Sequence, residues 1–176
     1  MTLTEFMAFE AEQVERHEFW RGEVLPMVGS TARQNRIILN LAHAIARHLE
    51  GAGCQVFISS IKLQLAEDGV LYPDVMVTCG KTVAGDDHVV TDAKLIIEMM
   101  PAGSGGIDKR SKIIFYRRLV SLCEYVLIEP AKRAVAVFVL TDAGDWSSTD
   151  QTRADVLTLQ SIGLELPMRL VFSFVR

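Results

Sequence analysis

The chain has 176 residues, 49% of them hydrophobic, which suits one domain with a full core. Its net charge of -4 argues against a protein whose whole surface is a nucleic-acid-binding patch. It has no apolar run of transmembrane length, and Met1 to Glu10 lacks the basic start and apolar core of a signal peptide, so the expectation is a cytoplasmic protein without membrane contact. Cys54, Cys79 and Cys123 are odd in number and lie in apolar settings, so they read as reduced core residues. No CxxC or HxxxH pair points to zinc.

In chain order, Thr2 or Thr4 caps a short first helix carrying Leu3, Phe6, Met7 and Phe9. His17 to Val28 reads as a strand or hairpin turning at Arg21-Gly22. Ser30 or Thr31 caps a longer helix whose apolar stripe is Ile37, Ile38, Leu41, Ala44, Ile45 and Leu49, ended by Gly51 and Gly53. Gln55 to Leu65 reads as one strand, with Ile61, Leu63 and Leu65 on one face. Asp68-Gly69 is a hairpin signal, and Leu71 to Thr78 a second strand. Gly80 to Thr91 is a polar loop. Lys94 to Met100 is almost wholly apolar and therefore central in its sheet. A glycine-rich loop, Pro101 to Gly106, precedes a helix from about Asp108 to Leu119. Glu124 to Pro130 and Ala134 to Thr141 are further strands, Gly144-Asp145-Trp146 turns into a polar section, and Ile162 to Val175 closes the chain. The expected architecture is one α/β (α+β) domain over residues 1–176, built around a single sheet.

Two acids interrupt this apolar pattern. Asp74 lies in Tyr72-Pro73-Asp74-Val75-Met76-Val77 and Glu98 in Leu95-Ile96-Ile97-Glu98-Met99-Met100. A carboxylate in such a run needs a partner, because an unpaired buried charge is costly. On the following helix, Asp108, Lys112, Phe115, Tyr116 and Leu119 share one side, which leans apolar. Two acids with a nearby lysine fit a divalent-metal site for phosphate chemistry. The plainer alternatives are a solvated strand-edge acid at Asp74, a buried salt bridge at Glu98, and a surface Asp108–Lys112 pair worth only about 0.3–0.5 kcal/mol. If Lys112 serves the site, Lys112→Met should still be neutral for the fold, since methionine suits an apolar-leaning face.

The chain resembles a restriction-endonuclease family within the PD-(D/E)XK nuclease superfamily. The resemblance runs through Arg16-His17-Glu18-Phe19, Arg21-Gly22-Glu23-Val24, Asn35-Arg36-Ile37, Asn40-Leu41, Tyr72-Pro73-Asp74-Val75, Ile97-Glu98 and Asp108-x-x-x-Lys112. It continues through Tyr116-Arg117-Arg118, Ser121-Leu122, Glu124-Tyr125-Val126-Leu127 and Leu164-Glu165-Leu166-Pro167. It implies a restriction-endonuclease-like core, a central mixed β-sheet flanked by helices, and a Mg²⁺-dependent DNA endonuclease that hydrolyses phosphodiester bonds, with Mn²⁺ as a substitute and a homodimeric assembly. Asp74 and Glu98 are then the metal ligands, and Lys112 is the catalytic lysine, moved to the helix from the strand position where Met100 stands. Glu23 matches a family acid near the metal, and Asp108 and Asn35 are supporting residues. The chain departs from the family where Met99-Met100-Pro101-Ala102-Gly103-Ser104 replaces Val-Leu-Ser-Pro-Ser-Thr and where Gln34 replaces a histidine. These departures and the negative charge keep a second reading open, a catalytically weak or inactive nuclease fold acting as a nucleic-acid or protein binding module.

Overall fold

The computed structural model describes residues 1–27, 29–67, 69–100 and 109–175, with side chains in the last segment from residue 112. Helix α1 (Leu3–Ala11) and helix α2 (Ala32–His48) both begin in capping boxes, on Thr2 with Glu5 and on Thr31 with Gln34. In the second, the Gln34 N–H donates to Thr31 Oγ1 at 3.3 Å and the Thr31 N–H to Gln34 Oε1 at 2.8 Å. Gln34, which stands where the related family carries histidine, thus closes the helix start.

Six strands form the central sheet, in the order β11 (Trp146–Asp150), β10 (Ala134–Leu140), β9 (Glu124–Glu129), β8 (Ala93–Met99), β6 (Val75–Thr78) and β3 (Gln55–Ile58). β8 is central, as its unbroken apolar run requires, and runs parallel to β9. Helix α3 (Lys109–Tyr116) lies between these two strands in the chain. A second, five-stranded sheet has the order β2 (Glu23–Pro26), β1 (His17–Trp20), β5 (Gly69–Leu71), β4 (Lys62–Leu65) and β7 (Val89–Val90). The chain closes with the β12 (Val156–Leu159) and β13 (Leu164–Pro167) ribbon and the short helix α4 (Met168–Val171).

Alternation along the six-stranded sheet separates two cores. On one face Val75, Val77, Leu95 and Ile97 pack under α2 with Ile37, Leu41 and Ile45. Each of these fully buried helix residues contributes roughly 1.5–3 kcal/mol. On the other face Met76 and Ile96 meet Leu63, Leu65 and Leu71 of the five-stranded sheet together with Ile113, Phe115 and Tyr116 of α3. No helix among the described residues is long and apolar enough to cross a membrane.

Three sequence expectations change. Gln55 to Leu65 is two strands in different sheets, because Ser59 adopts a left-handed φ of 43° and breaks the run. Leu71 to Thr78 is likewise split around Tyr72-Pro73-Asp74, so the chain passes between sheets twice and there are two principal sheets instead of one. Cys54 and Cys79, expected reduced, form a disulfide, because the β3–β6 register pairs Gln55 with Thr78 and brings the flanking cysteines together. Cys123 is a free thiol. The Pro101 to Gly106 loop lies outside the described residues.

Gly69 shows how tightly α3 is seated. A Cβ there would meet the Phe115 ring at 2.1 and 2.7 Å, and that ring is 1% exposed and stacked on Trp20 at 3.9 Å. Gly69→Ala should therefore destabilise the protein by about 1–3 kcal/mol, as overpacking does. Urea denaturation measures this directly, and the α3 side of the core should loosen first in hydrogen exchange.

Candidate active site

The sheet geometry brings the two acids to the same end of neighbouring strands, where β6 begins and β8 finishes. Val75 pairs with Ile97 across β6 and β8, and Asp74 and Glu98 are the next residues beyond that pair at the same end of the two strands. Glu98 follows the alternation of Ile96 and belongs to the α3 side of the sheet, where Tyr116 meets it. The Met99 N–H donates to Asp74 Oδ2 at 2.6 Å, which holds the half-buried Asp74 carboxylate against the end of β8.

Helix α3 supplies the next two groups. Lys112 and Tyr116 are four residues apart and therefore share one helix face. Tyr116 is fully buried, and its hydroxyl donates to Glu98 Oε1 at 2.7 Å. Burial, followed by the negative charges of Glu98 and Glu18, pushes the Tyr116 phenol well above its ordinary value, so it stays a donor. Lys112 Nζ lies 3.6 Å from the same Glu98 oxygen. Glu98 is 1% exposed and Lys112 5% exposed, so these groups meet away from bulk water.

A third acid comes from the other sheet. Glu18 on β1 accepts from Lys112 Nζ at 2.6 Å and from the Tyr72 N–H at 3.4 Å, both through Oε1. Glu18 and Trp20 alternate onto the side of the β1–β2 hairpin that faces α3, where Trp20 stacks on Phe115. Behind this cluster, buried Glu10 of α1 accepts from the Tyr72 hydroxyl at 2.8 Å and from the His17 N–H at 3.0 Å. Burial and the Glu10 contact raise the Tyr72 phenol as well. Tyr72-Pro73-Asp74 is thus fastened on its N-terminal side by Glu10 and Glu18 and at Asp74 by Met99.

Of the residues expected from sequence, Glu98 and Lys112 are brought into contact and Asp74 is bonded to Met99, next in sequence to Glu98. Glu23 lies on the same hairpin face as Glu18, opposite Trp20, but is exposed near the turn, so the hairpin's acid in the cluster is Glu18. Asn35 is exposed on α2, whose apolar stripe packs on the sheet's opposite face. Asp108 and its pairing with Lys112 lie outside the described residues. The burial also reverses one expectation. Replacing Lys112 by methionine would leave Glu18 and Glu98 enclosed without that ammonium, and breaking one side of a buried pair costs roughly 3–5 kcal/mol.

Sequence reasoning passed over Glu18 and Tyr116 as site residues. For Tyr116 a signal existed, since it sits one turn from Lys112 on the apolar-leaning face. For Glu18 the signal was weak: it is one of several charged residues between Glu15 and Glu23.

The chain was compared with known proteins. The profile of the Uma2 family, described as "Putative restriction endonuclease", matches residues 3–169. The protein sll1609 of Synechocystis sp. is 33% identical over 132 residues, covering 73% of this chain and 75% of that protein. The protein slr1290 of the same organism is 26% identical over 169 residues, covering 96% and 89%. Among solved structures, "a putative nuclease belonging to DUF820" from Anabaena variabilis superposes with a TM-score of 0.83 at 15% identity, over 100% of this chain and 99% of that one. That likeness fixes the fold.

Tyr116→Phe tests the buried hydroxyl. It removes the donor to Glu98 and should cost about 1–3 kcal/mol in urea denaturation. It should also change the alkaline limb of stability. Below pH 10.0 the phenol is protonated in both folded and unfolded chains; above it only the unfolded chain releases the proton, so stability falls as pH rises. The wild-type decline above pH 10.0 should be steeper than that of the variant, with Tyr72 supplying what remains.

Proposed function

This chain belongs to the Uma2 restriction-endonuclease family, and on that premise we propose that it is a Mg²⁺-dependent endonuclease that hydrolyses phosphodiester bonds in DNA. The observation that carries this reading is the Asp74 carboxylate bonded to the Met99 N–H, next in sequence to Glu98, with Lys112 3.6 Å from Glu98.

The donor set fits a hard divalent ion. Among the described residues no group of three or more His, Cys, Asp or Glu side chains is arranged to hold a metal. Mg²⁺ does not require such a cage, since it keeps several waters and is commonly bound through one or two carboxylates plus substrate phosphates. Asp74 and Glu98 would hold it. When bound, the ion would polarise the scissile phosphate and lower the pKa of a coordinated water.

The chain's own residues do the rest. The Met99 N–H fixes one oxygen of Asp74, and the Tyr116 hydroxyl fixes one oxygen of Glu98, so both carboxylates are oriented in advance. In this reading the Lys112 ammonium would stabilise negative charge developing on a phosphoryl oxygen. Burial of Glu98, Lys112 and Tyr116 keeps bulk water from weakening these interactions. Outside the cluster, Arg16 and Lys62 lie 5.4 and 5.9 Å from the Tyr72 ring, two residues from Asp74. This local cationic set favours a polyanion despite the net charge of -4. The reading includes a homodimer, supported by the exposed apolar Leu39, Leu170 and Phe174, and sedimentation measures it.

A second reading is a nuclease fold that binds nucleic acid or a partner without cleaving. It is favoured by the closer bond of Lys112 to Glu18, which offsets its charge, and by Met100 at the strand position where the superfamily has lysine.

Plasmid cleavage with Mg²⁺ or Mn²⁺ separates the two. The wild type should nick or linearise the plasmid only with metal, Asp74→Ala should lose the activity, and Glu98→Gln should lower it by at least about 100-fold, as for removal of a transition-state contact. DNA retention without cleavage at any metal concentration would select the binding module. Glu98→Gln cutting at the wild-type rate would remove Glu98 from the site.

A further inference from the structure

We propose that Arg16 and Lys62 form a phosphate-contacting pair that holds the DNA backbone beside the metal site, on a phosphodiester neighbouring the scissile one. The inference rests on the endonuclease reading above and extends it to how the substrate strand is held.

The topology of the five-stranded sheet places the two cations. β5 pairs antiparallel with β1 on one side and with β4 on the other, so β1 and β4 both begin at the end where β5 finishes. Arg16 directly precedes β1, Lys62 opens β4, and Tyr72 directly follows β5. The two cations therefore stand at one end of the sheet, 5.4 and 5.9 Å from the centre of the Tyr72 ring, within the range of a cation–π contact. At that end the chain crosses to the six-stranded sheet through Tyr72-Pro73-Asp74, so the pair lies beside the segment that delivers the proposed metal ligand.

Both cations are anchored through their backbones. The Arg16 carbonyl accepts from the Met27 N–H at 2.9 Å, and the Lys62 N–H donates to the His88 carbonyl at 3.0 Å. Among the described residues neither is in an ion pair. The two acids that contact Tyr72 are engaged elsewhere: buried Glu10 accepts from the Tyr72 hydroxyl and the His17 N–H, and Glu18 is bonded to Lys112. Arg16 is exposed and Lys62 half-buried, whereas Tyr72 is 2% exposed. The ring is thus not offered to a base for stacking, and positive charge is what the surface presents there. A guanidinium fork and an ammonium suit phosphate oxygens, and such contacts fix the position of a duplex without reading its sequence.

The experiment is fluorescence anisotropy of a labelled DNA duplex titrated with the protein across a salt series. Ca²⁺ replaces Mg²⁺, since it takes oxygen ligands in a looser geometry, and gel electrophoresis checks that the duplex stays whole. The slope of log affinity against log salt reports how many phosphates are contacted. Arg16→Gln and Lys62→Gln should each lower the magnitude of that slope by about 1, and the double variant by about 2, with the same loss of affinity on two unrelated sequences. Arg16→Lys keeps the charge and should keep the slope. A double variant with the wild-type slope would overturn the inference even if its affinity fell, because partial unfolding lowers the active fraction without changing the contacts made. A loss that depends on sequence would overturn it too and assign the pair to base edges. A wild type that binds no duplex overturns both this inference and the endonuclease reading. Metal-dependent cleavage with an unchanged slope overturns the inference alone. A lowered slope in a protein that never cuts supports the inference and overturns the endonuclease reading alone.

Discussion

The burial of one ammonium between two carboxylates organises this protein. Lys112 is 5% exposed and Glu98 1% exposed, and neither would be tolerated there singly. Glu18 comes from the five-stranded sheet, Glu98 from the centre of the six-stranded one, and Lys112 from α3. Their meeting therefore fixes how the two sheets and the helix sit together. An apolar trio of the same volume would do this as well or better, since buried ion pairs rarely outperform hydrophobic packing. What an apolar trio could not supply is an oriented carboxylate at the strand ends where Asp74 also lies. The cluster is better explained by its chemistry than by stability, and Gly69, the Trp20–Phe115 stack and the Glu10–Tyr72 bond form the frame that holds it.

Much of the fold was legible because local signals coincide with tertiary ones. Thr2 and Thr31 cap the helices expected to follow them, and the stripe from Ile37 to Leu49 faces the core. The apolar run ending at Met99 is a central strand for the reason its composition gives. The two breaks were not legible. Apolar alternation runs on through Gln55 to Leu65 and through Leu71 to Thr78, and nothing in the periodicity marks a change of sheet. The first break depends on the left-handed Ser59, which serine does not advertise. At the second, Tyr72-Pro73-Asp74 is held in its crossing path by Glu10, Glu18 and Met99, all remote in sequence. β11 was missed because an edge strand of serine, threonine and aspartate carries no apolar signature, and the Cys54–Cys79 bond because it depends on the β3–β6 register.

The site divides along the same line. Asp74 and Glu98 stand out because an acid in an apolar strand demands a partner. Lys112 stands out because a lysine on an apolar-leaning helix face does too. Glu18 carries no such mark: it follows Glu15, Arg16 and His17, and burial with contacts to Lys112 and the Tyr72 N–H distinguishes it from Glu23 on the same hairpin face. Resemblance of motifs pointed to the hairpin, while packing chose the residue.

Charge balance carries the proposed chemistry one step further. Among the described residues three acids, Glu18, Asp74 and Glu98, meet one lysine, Lys112, where a phosphate must approach. An acidic excess disfavours a phosphate, and Arg16 and Lys62 beside the Tyr72 ring are the cations placed next to Tyr72-Pro73-Asp74. A divalent ion offsets acidic charge there, so under this reading metal binding and phosphate entry are coupled by electrostatics before any bond changes. A monovalent ion would offset less of it, and a second lysine at position 100 in place of methionine would reduce the call for the ion. The chain has Met100 there, and among the described residues Lys112 is the lysine bonded to Glu18 and Glu98.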